Sequence, residues 1–121
     1  MDLFDIPENE RLTALRALKT VATANGAFGD PERAMLRAAA AVWRVDADAD
    51  SLDTITPGDL AAGVATPAAR THVLQACMLM SLADQRVTAE EYAALDAFRG
   101  ALAVDEARMP VMQDLAKGRL F

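Results

Sequence analysis

Apolar residues recur at intervals of three and four along most of the chain, the spacing of one face of an α-helix. The pattern predicts helices over residues 8–24, 31–44, 67–83, 89–103 and 105–117, with a short helical turn over 57–62. No segment alternates apolar and polar residues with a period of two among β-branched side chains, so no strand is expected. The helix starts are punctuated. Asp30-Pro31, Thr56-Pro57 and Thr66-Pro67 each offer a side-chain oxygen at the N-cap and a proline at the first helical position, where its missing N–H is no loss. Thr88-Ala89-Glu90-Glu91 reads as a capping box, in which the threonine bonds the amide of Glu91 and the glutamate returns the bond.

Each helix then gets a predicted inner face. In the first, Leu12, Leu15, Leu18 and Val21 point inward while Arg11, Arg16 and Lys19 turn outward. In the second, Met35, Leu36, Ala39 and Val42 form the inner stripe, with Trp43 in the core or at a hairpin seam. The segment 67–83 differs, because Val73, Leu74, Cys77, Met78, Leu79, Met80 and Leu82 leave it almost no polar face. It is predicted to be the central, buried helix.

Laid on itself at an offset of 59, the chain repeats. Residues 11–46 face 70–105, and ten of the 36 positions are identical: Arg11, Leu15, Ala17, Ala24, Glu32, Ala34, Leu36, Ala38, Val45 and Asp46. About three matches are expected by chance in so alanine-rich a chain. The punctuation aligns as well, with the turn 24–32 over the turn 83–91. The expected fold class is all-α: one compact domain over 1–121, built as a helical bundle of two pseudo-twofold-related hairpins, a linker over 47–66 and a C-terminal helix.

Composition fits this picture and removes several functions. Apolar residues make up 53% of the chain but aromatic ones only 5%, as in a core of Ala, Leu, Val and Met packed through close helix contacts. Twelve Lys and Arg stand against 18 Asp and Glu, a net charge of −6. Such a balance argues against nucleic acid, whose phosphates call for cationic side chains, and against an anionic membrane surface. The longest apolar run, 38–43, is far shorter than the roughly 20 residues of a membrane span. With a single cysteine and an opening Met1-Asp2-Leu3-Phe4-Asp5 that lacks signal-peptide character, a soluble cytoplasmic protein is expected.

The two turns carry the most specific signal. Ala24-Asn25-Gly26-Ala27-Phe28 with Glu32, and Ala83-Asp84-Gln85-Arg86-Val87 with Glu91, resemble the paired Ala-Asp-Gly-x-Ile/Val motifs of the TerB tellurite-resistance family. Asn25 stands where that family has Asp, and Gln85 where it has Gly. The resemblance spans residues 11–105. It implies a non-enzymatic all-helical domain of the stress-response kind, acting through protein partners, in a family for which divalent-cation binding by clustered acids has been suggested. Carried over position by position, the motif acids are Asp84, Glu91 and Glu32. Asp30 and Glu90 stand near enough in sequence to add oxygens, of the kind that Ca²⁺ or Mg²⁺ prefers. The same acids have a second reading as first-turn residues that stabilise the positive end of a helix, with no cofactor at all. In that case the chain is a helical scaffold or dimerisation module.

Other candidates are weaker. Residues 46–53 alternate acids like the opening of a calcium loop, but Ser51 and Pro57 stand where that loop needs Gly and a bidentate Glu. A solvated linker, with one Asp capping the following turn, is expected instead. Cys77 lies among Leu74, Met78 and Met80 and reads as a packed core thiol. His72 is five residues away on another helix face, and Ser81 has no base nearby in sequence, so no nucleophile and base pair up. Gly26-Ala27-Phe28-Gly29 lacks the strand and lysine of a phosphate loop. Met35, Met78, Met80, Met109 and Met112 fill the core or form an adaptable binding surface. Leu120 and Phe121 dock either on the bundle or on a second subunit as a homodimer.

Overall fold

The computed structural model describes residues 6–83 and 88–105. Every regular element among them is helical: α1 (Arg11–Ala22), α2 (Asp30–Trp43), α3 (Pro57–Gly63), α4 (Pro67–Ser81) and α5 (Ala89–Leu102), with a single 3-10 turn, Glu8–Glu10, leading into α1. The expected all-α bundle is the fold observed. The predicted helix over 105–117 lies outside the described residues apart from Asp105.

The apolar segment 67–83 does occupy the centre. α4 packs against α1 and α5 and touches α2, while α3 lies on α5 and α1. Val73, Leu74, Ala76, Cys77, Met78 and Met80 of α4 are all buried, and Leu15, Leu36, Leu60, Leu95, Phe98 and Leu102 close around them from the other helices. Each fully buried Leu, Met or Phe contributes about 1.5–3 kcal/mol relative to an exposed one. The core is therefore assembled from many small aliphatic contributions, with Trp43 and Phe98 as its largest members.

Three predicted caps form as expected. Thr56 Oγ1 accepts from Asp59 N at 3.1 Å and Thr66 Oγ1 from Ala69 N at 3.2 Å. Thr88 Oγ1 accepts from Glu91 N at 3.2 Å while Glu91 Oε1 accepts from Thr88 N at 3.1 Å, completing the capping box. The fourth differs. Asp30 is already the first residue of α2, Gly29 occupies the cap, and no side chain caps the helix. Pro31 tolerates either frame, since the first turn needs no donor at two adjacent positions.

Both hairpins end on the same details. Arg11 Nη1 donates to the Trp43 carbonyl at 3.2 Å, and Arg70 Nη1 donates to that of Leu102 at 3.4 Å. Arg44 and Ala103 both leave their helices in the left-handed region, at φ 57° and 58°. The next residue closes the turn each time, Val45 N donating to Ala40 O at 2.9 Å and Val104 N to Arg99 O at 3.1 Å. All these pairs stand 59 positions apart.

The linker departs most from expectation. Its acids Asp46, Asp48, Asp50 and Asp53 are exposed, as expected of a solvated linker, but Ala49 and Ile55 are buried and the backbone is bonded to α1. Lys19, expected to face outward, is buried, and its Nζ donates to the carbonyls of Ala49 and Asp50. Arg16 Nη2 donates to Thr54 O at 2.8 Å, and the Thr20 hydroxyl accepts from Ile55 N at 2.8 Å. Arg16, Lys19 and Thr20 share one helical face, so α1 presents a row of groups that satisfies linker backbone. Two apolar assignments change as well: Leu12 and Val42 are half exposed. Leu12 lines an open groove between α1 and the linker, beside Arg16 and Leu52, and Val42 lines one between α2 and α4.

Candidate functional site: the hairpin turns

The first turn is held from several directions. Asn25 Oδ1 accepts from Ala27 N at 3.1 Å, and Gly26 takes φ +82°, a conformation open to glycine. This brings Phe28 back onto the bundle. Lys19 Nζ lies 4.4 Å from the centre of its ring and the Arg33 guanidinium 4.8 Å, a pair of cation–π contacts. Arg33 Nε donates to Asp50 Oδ1 at 2.7 Å and its Nη1 to Asp30 Oδ1 at 3.2 Å. Arg37 Nη2 lies 3.9 Å from Asp50 Oδ2. The hydrogen bond from Arg33 holds the Asp50 carboxyl below its ordinary pKa. Phe28, Lys19, Arg33 and Asp50 thus tie turn, helix and linker together.

Of the five acids expected as ligands, the four described ones take separate positions. Asp30 is fully exposed and pairs with Arg33. Glu90 is exposed on the first turn of α5. Glu32 and Glu91 are both buried, each the third residue of its helix. Glu91 spends one oxygen on the Thr88 amide. Glu32 folds back in the same sense, placing Oε2 3.1 Å from where a Cβ on Gly29 would lie. Asp84 is outside the described residues. No group of three or more His, Cys, Asp or Glu side chains suited to a metal ion occurs among the described residues.

The remaining reactive side chains are occupied by the core. Cys77 is buried, and burial pushes its thiol pKa above the ordinary value, away from the thiolate form a nucleophile needs. Ser81 is buried and donates its hydroxyl to Met78 O at 2.6 Å. His72 is half-buried on α4. Among the methionines, Met78 and Met80 fill the core while Met35 is half-buried; Met109 and Met112 lie outside the described residues. No helix among the described residues is long and apolar enough to cross a membrane.

No protein-family profile, curated protein or solved structure matches the chain. The TerB-like resemblance therefore rests on the two turn motifs themselves. Reading along the chain misses the cluster around Phe28. Its signal lies in α1, where Arg16, Lys19 and Thr20 line up on one face opposite a backbone that has no helix of its own to satisfy it.

Proposed function

We propose that the protein is a non-enzymatic helical scaffold with the layout of the TerB-like domains, working through contacts with protein partners. In this reading the acids of its turns are structural. The observation that carries it is the capping box: Glu91, the motif acid of the second turn, is buried with an oxygen committed to the Thr88 amide. A carboxylate used this way satisfies a backbone donor at a helix start and favours the positive end of the dipole. Asp30 and Asp50 follow the same economy, balanced by Arg33.

A thermal melt after chelation tests the reading. Addition of Ca²⁺ or Mg²⁺ up to about 10 mM, the scale of weak extracellular-type sites, is expected to leave the melting temperature and the Trp43 fluorescence unchanged. Glu91→Gln is expected to lower the melting temperature equally with and without the ion. A cation at 100 times its dissociation constant would stabilise by about 2.7 kcal/mol. A rise of that size, abolished by Asp84→Asn or Glu91→Gln but kept by Asp48→Asn, would instead establish a cation site at the second turn.

A further inference from the structure

The open groove beside α1 has a volume of about 380 Å³ and is walled by Leu12 and Arg16 on the helix and by Asp48, Leu52 and Asp53 on the linker. Leu12 is 50% exposed there and Leu52 half-buried, so both present aliphatic surface to water. Under the 59-residue offset Leu12 corresponds to Thr71 and Arg16 to Gln75, and both of those are buried. The shared frame therefore does not impose an open face at these positions. The charges around the leucines are uneven. Asp50 is balanced by Arg33 and Arg37, whereas Asp48 and Asp53 are exposed and have no ion-pair partner among the described residues. Arg16, the cation in the lining, is tied through Nη2 to Thr54 O.

An aliphatic strip bordered by unbalanced carboxylates matches an apolar side chain with lysine or arginine beside it. A second copy fits less well, because a chain of net charge −6 brings acids toward acids. We infer that the groove between α1 and the linker is a docking site for a basic amphipathic segment of a partner protein, which seats an apolar side chain between Leu12 and Leu52 and its cations on Asp48 and Asp53. The volume, near the lower end of that of ligand pockets, suits a few side chains of such a segment. The inference rests on the reading of the chain as a scaffold that works through protein contacts, and it supplies the chemistry of the partner.

Fluorescence anisotropy of labelled nonapeptides with the full chain tests this. One peptide alternates lysine with leucine, a second has serine for each leucine, and a third has glutamate for each lysine. The lysine–leucine peptide is expected to bind about tenfold more tightly than either of the others. It should shift the methyl signals of Leu12 and Leu52 and leave in place those of Met35, Val42 and Leu79, which line the groove between α2 and α4. Leu12→Ser, and Asp48→Asn together with Asp53→Asn, should each weaken it about tenfold. Both variants should keep the wild-type melting temperature, since Leu12 is half exposed and asparagine retains an oxygen for the Asp50 amide, from which Asp48 Oδ1 accepts at 3.1 Å. Equal binding of the serine peptide overturns the inference in favour of diffuse charge, and shifts confined to Met35, Val42 and Leu79 overturn it in favour of the other groove. Leu12 signals that move on dilution without peptide overturn it in favour of a second copy. Absence of binding overturns the inference and spares the scaffold reading, which fails instead on a cation-dependent rise in the melting temperature.

Discussion

The two hairpins share a frame and differ in how they are covered. Both begin on an arginine that clasps the carbonyl at the end of its second helix, Arg11 with Trp43 and Arg70 with Leu102. Both end in a left-handed residue followed by valine. Their flanks diverge. α5 lies against α1, α3 and α4, whereas α2 packs on α1, touches α4 and leaves Val42 open. The repeat thus sets the backbone frame, and among the described residues it is the segment leaving the first hairpin that covers the face of α5 and α1 with α3.

The largest expected effect removes the cover. Leu60 is completely buried, the one buried side chain of the seven-residue α3. Leu60→Ala should destabilise by about 3 kcal/mol, within the usual cost of emptying a core leucine. Urea unfolding should show it, with amide exchange rising first in α3 and in the residues of α5 beneath it. Equal exchange across all helices would mean that α3 is no separate cover. Next comes the frame. Arg70 donates to the carbonyls of Val64, Ala61 and Leu102, at 2.8, 3.0 and 3.4 Å, and Arg11 to those of Ile6 and Trp43, at 2.8 and 3.2 Å. Arg70→Met should cost about 2 kcal/mol and Arg11→Met somewhat less, since each leaves partly buried acceptors without a charged donor. If Arg11→Met proved the more damaging, the number of carbonyls bonded would not be what sets the strength of the clasp.

Most of the frame was legible in the residues because its signals are local. Thr56, Thr66 and Thr88 stand one position before proline or alanine and three before an amide that needs an acceptor, so the cap is written in a few letters. At Asp30 the same letters mislead: Gly29 fits the cap backbone as well, and Arg33 draws the aspartate away. Lys19 and the linker were illegible for a different reason. An Asp-Ala alternation reads as solvated, and only the third dimension shows that Lys19, Arg16 and Thr20 offer partners that let Ala49 and Ile55 go under. The turn acids were found by spacing, yet spacing does not tell a carboxylate aimed at a cation from one folded back on its own helix, as Glu91 is. Leu12 and Val42 fit the apolar period but line open grooves, against the linker and between α2 and α4, that the period alone does not reveal.

A smaller test asks whether the two hairpin ends are energetically as well as geometrically alike. Arg44 and Ala103 hold φ 57° and 58°, which strains a residue with a Cβ and suits glycine. Arg44→Gly and Ala103→Gly should each stabilise by about 0.5–1 kcal/mol, the relief of strain exceeding the added entropy of the unfolded chain. Thermal melts of the two single variants and the double would reveal additive gains if the ends are independent. A gain at one end only would show that the matching angles conceal different surroundings.

The smallest effect belongs to the contact between the first hairpin and its linker. Arg33 holds the exposed Asp50 carboxyl below its ordinary pKa, first through the hydrogen bond and then through its charge, with Arg37 and Lys19 adding to it. A carboxyl whose pKa is lower folded than unfolded stabilises the fold above the unfolded value of about 3.9. That contribution falls away as pH drops through the folded value, where the group protonates in both states. Wild type and Asp50→Asn should therefore differ most near neutral pH and converge in acid below pH about 4. Added salt should narrow the gap at neutral pH, because an exposed pair is screened. A gap that stayed constant down to low pH would assign the effect of Asp50→Asn to the geometry of the linker, and the ion pair would no longer be what ties it to α2.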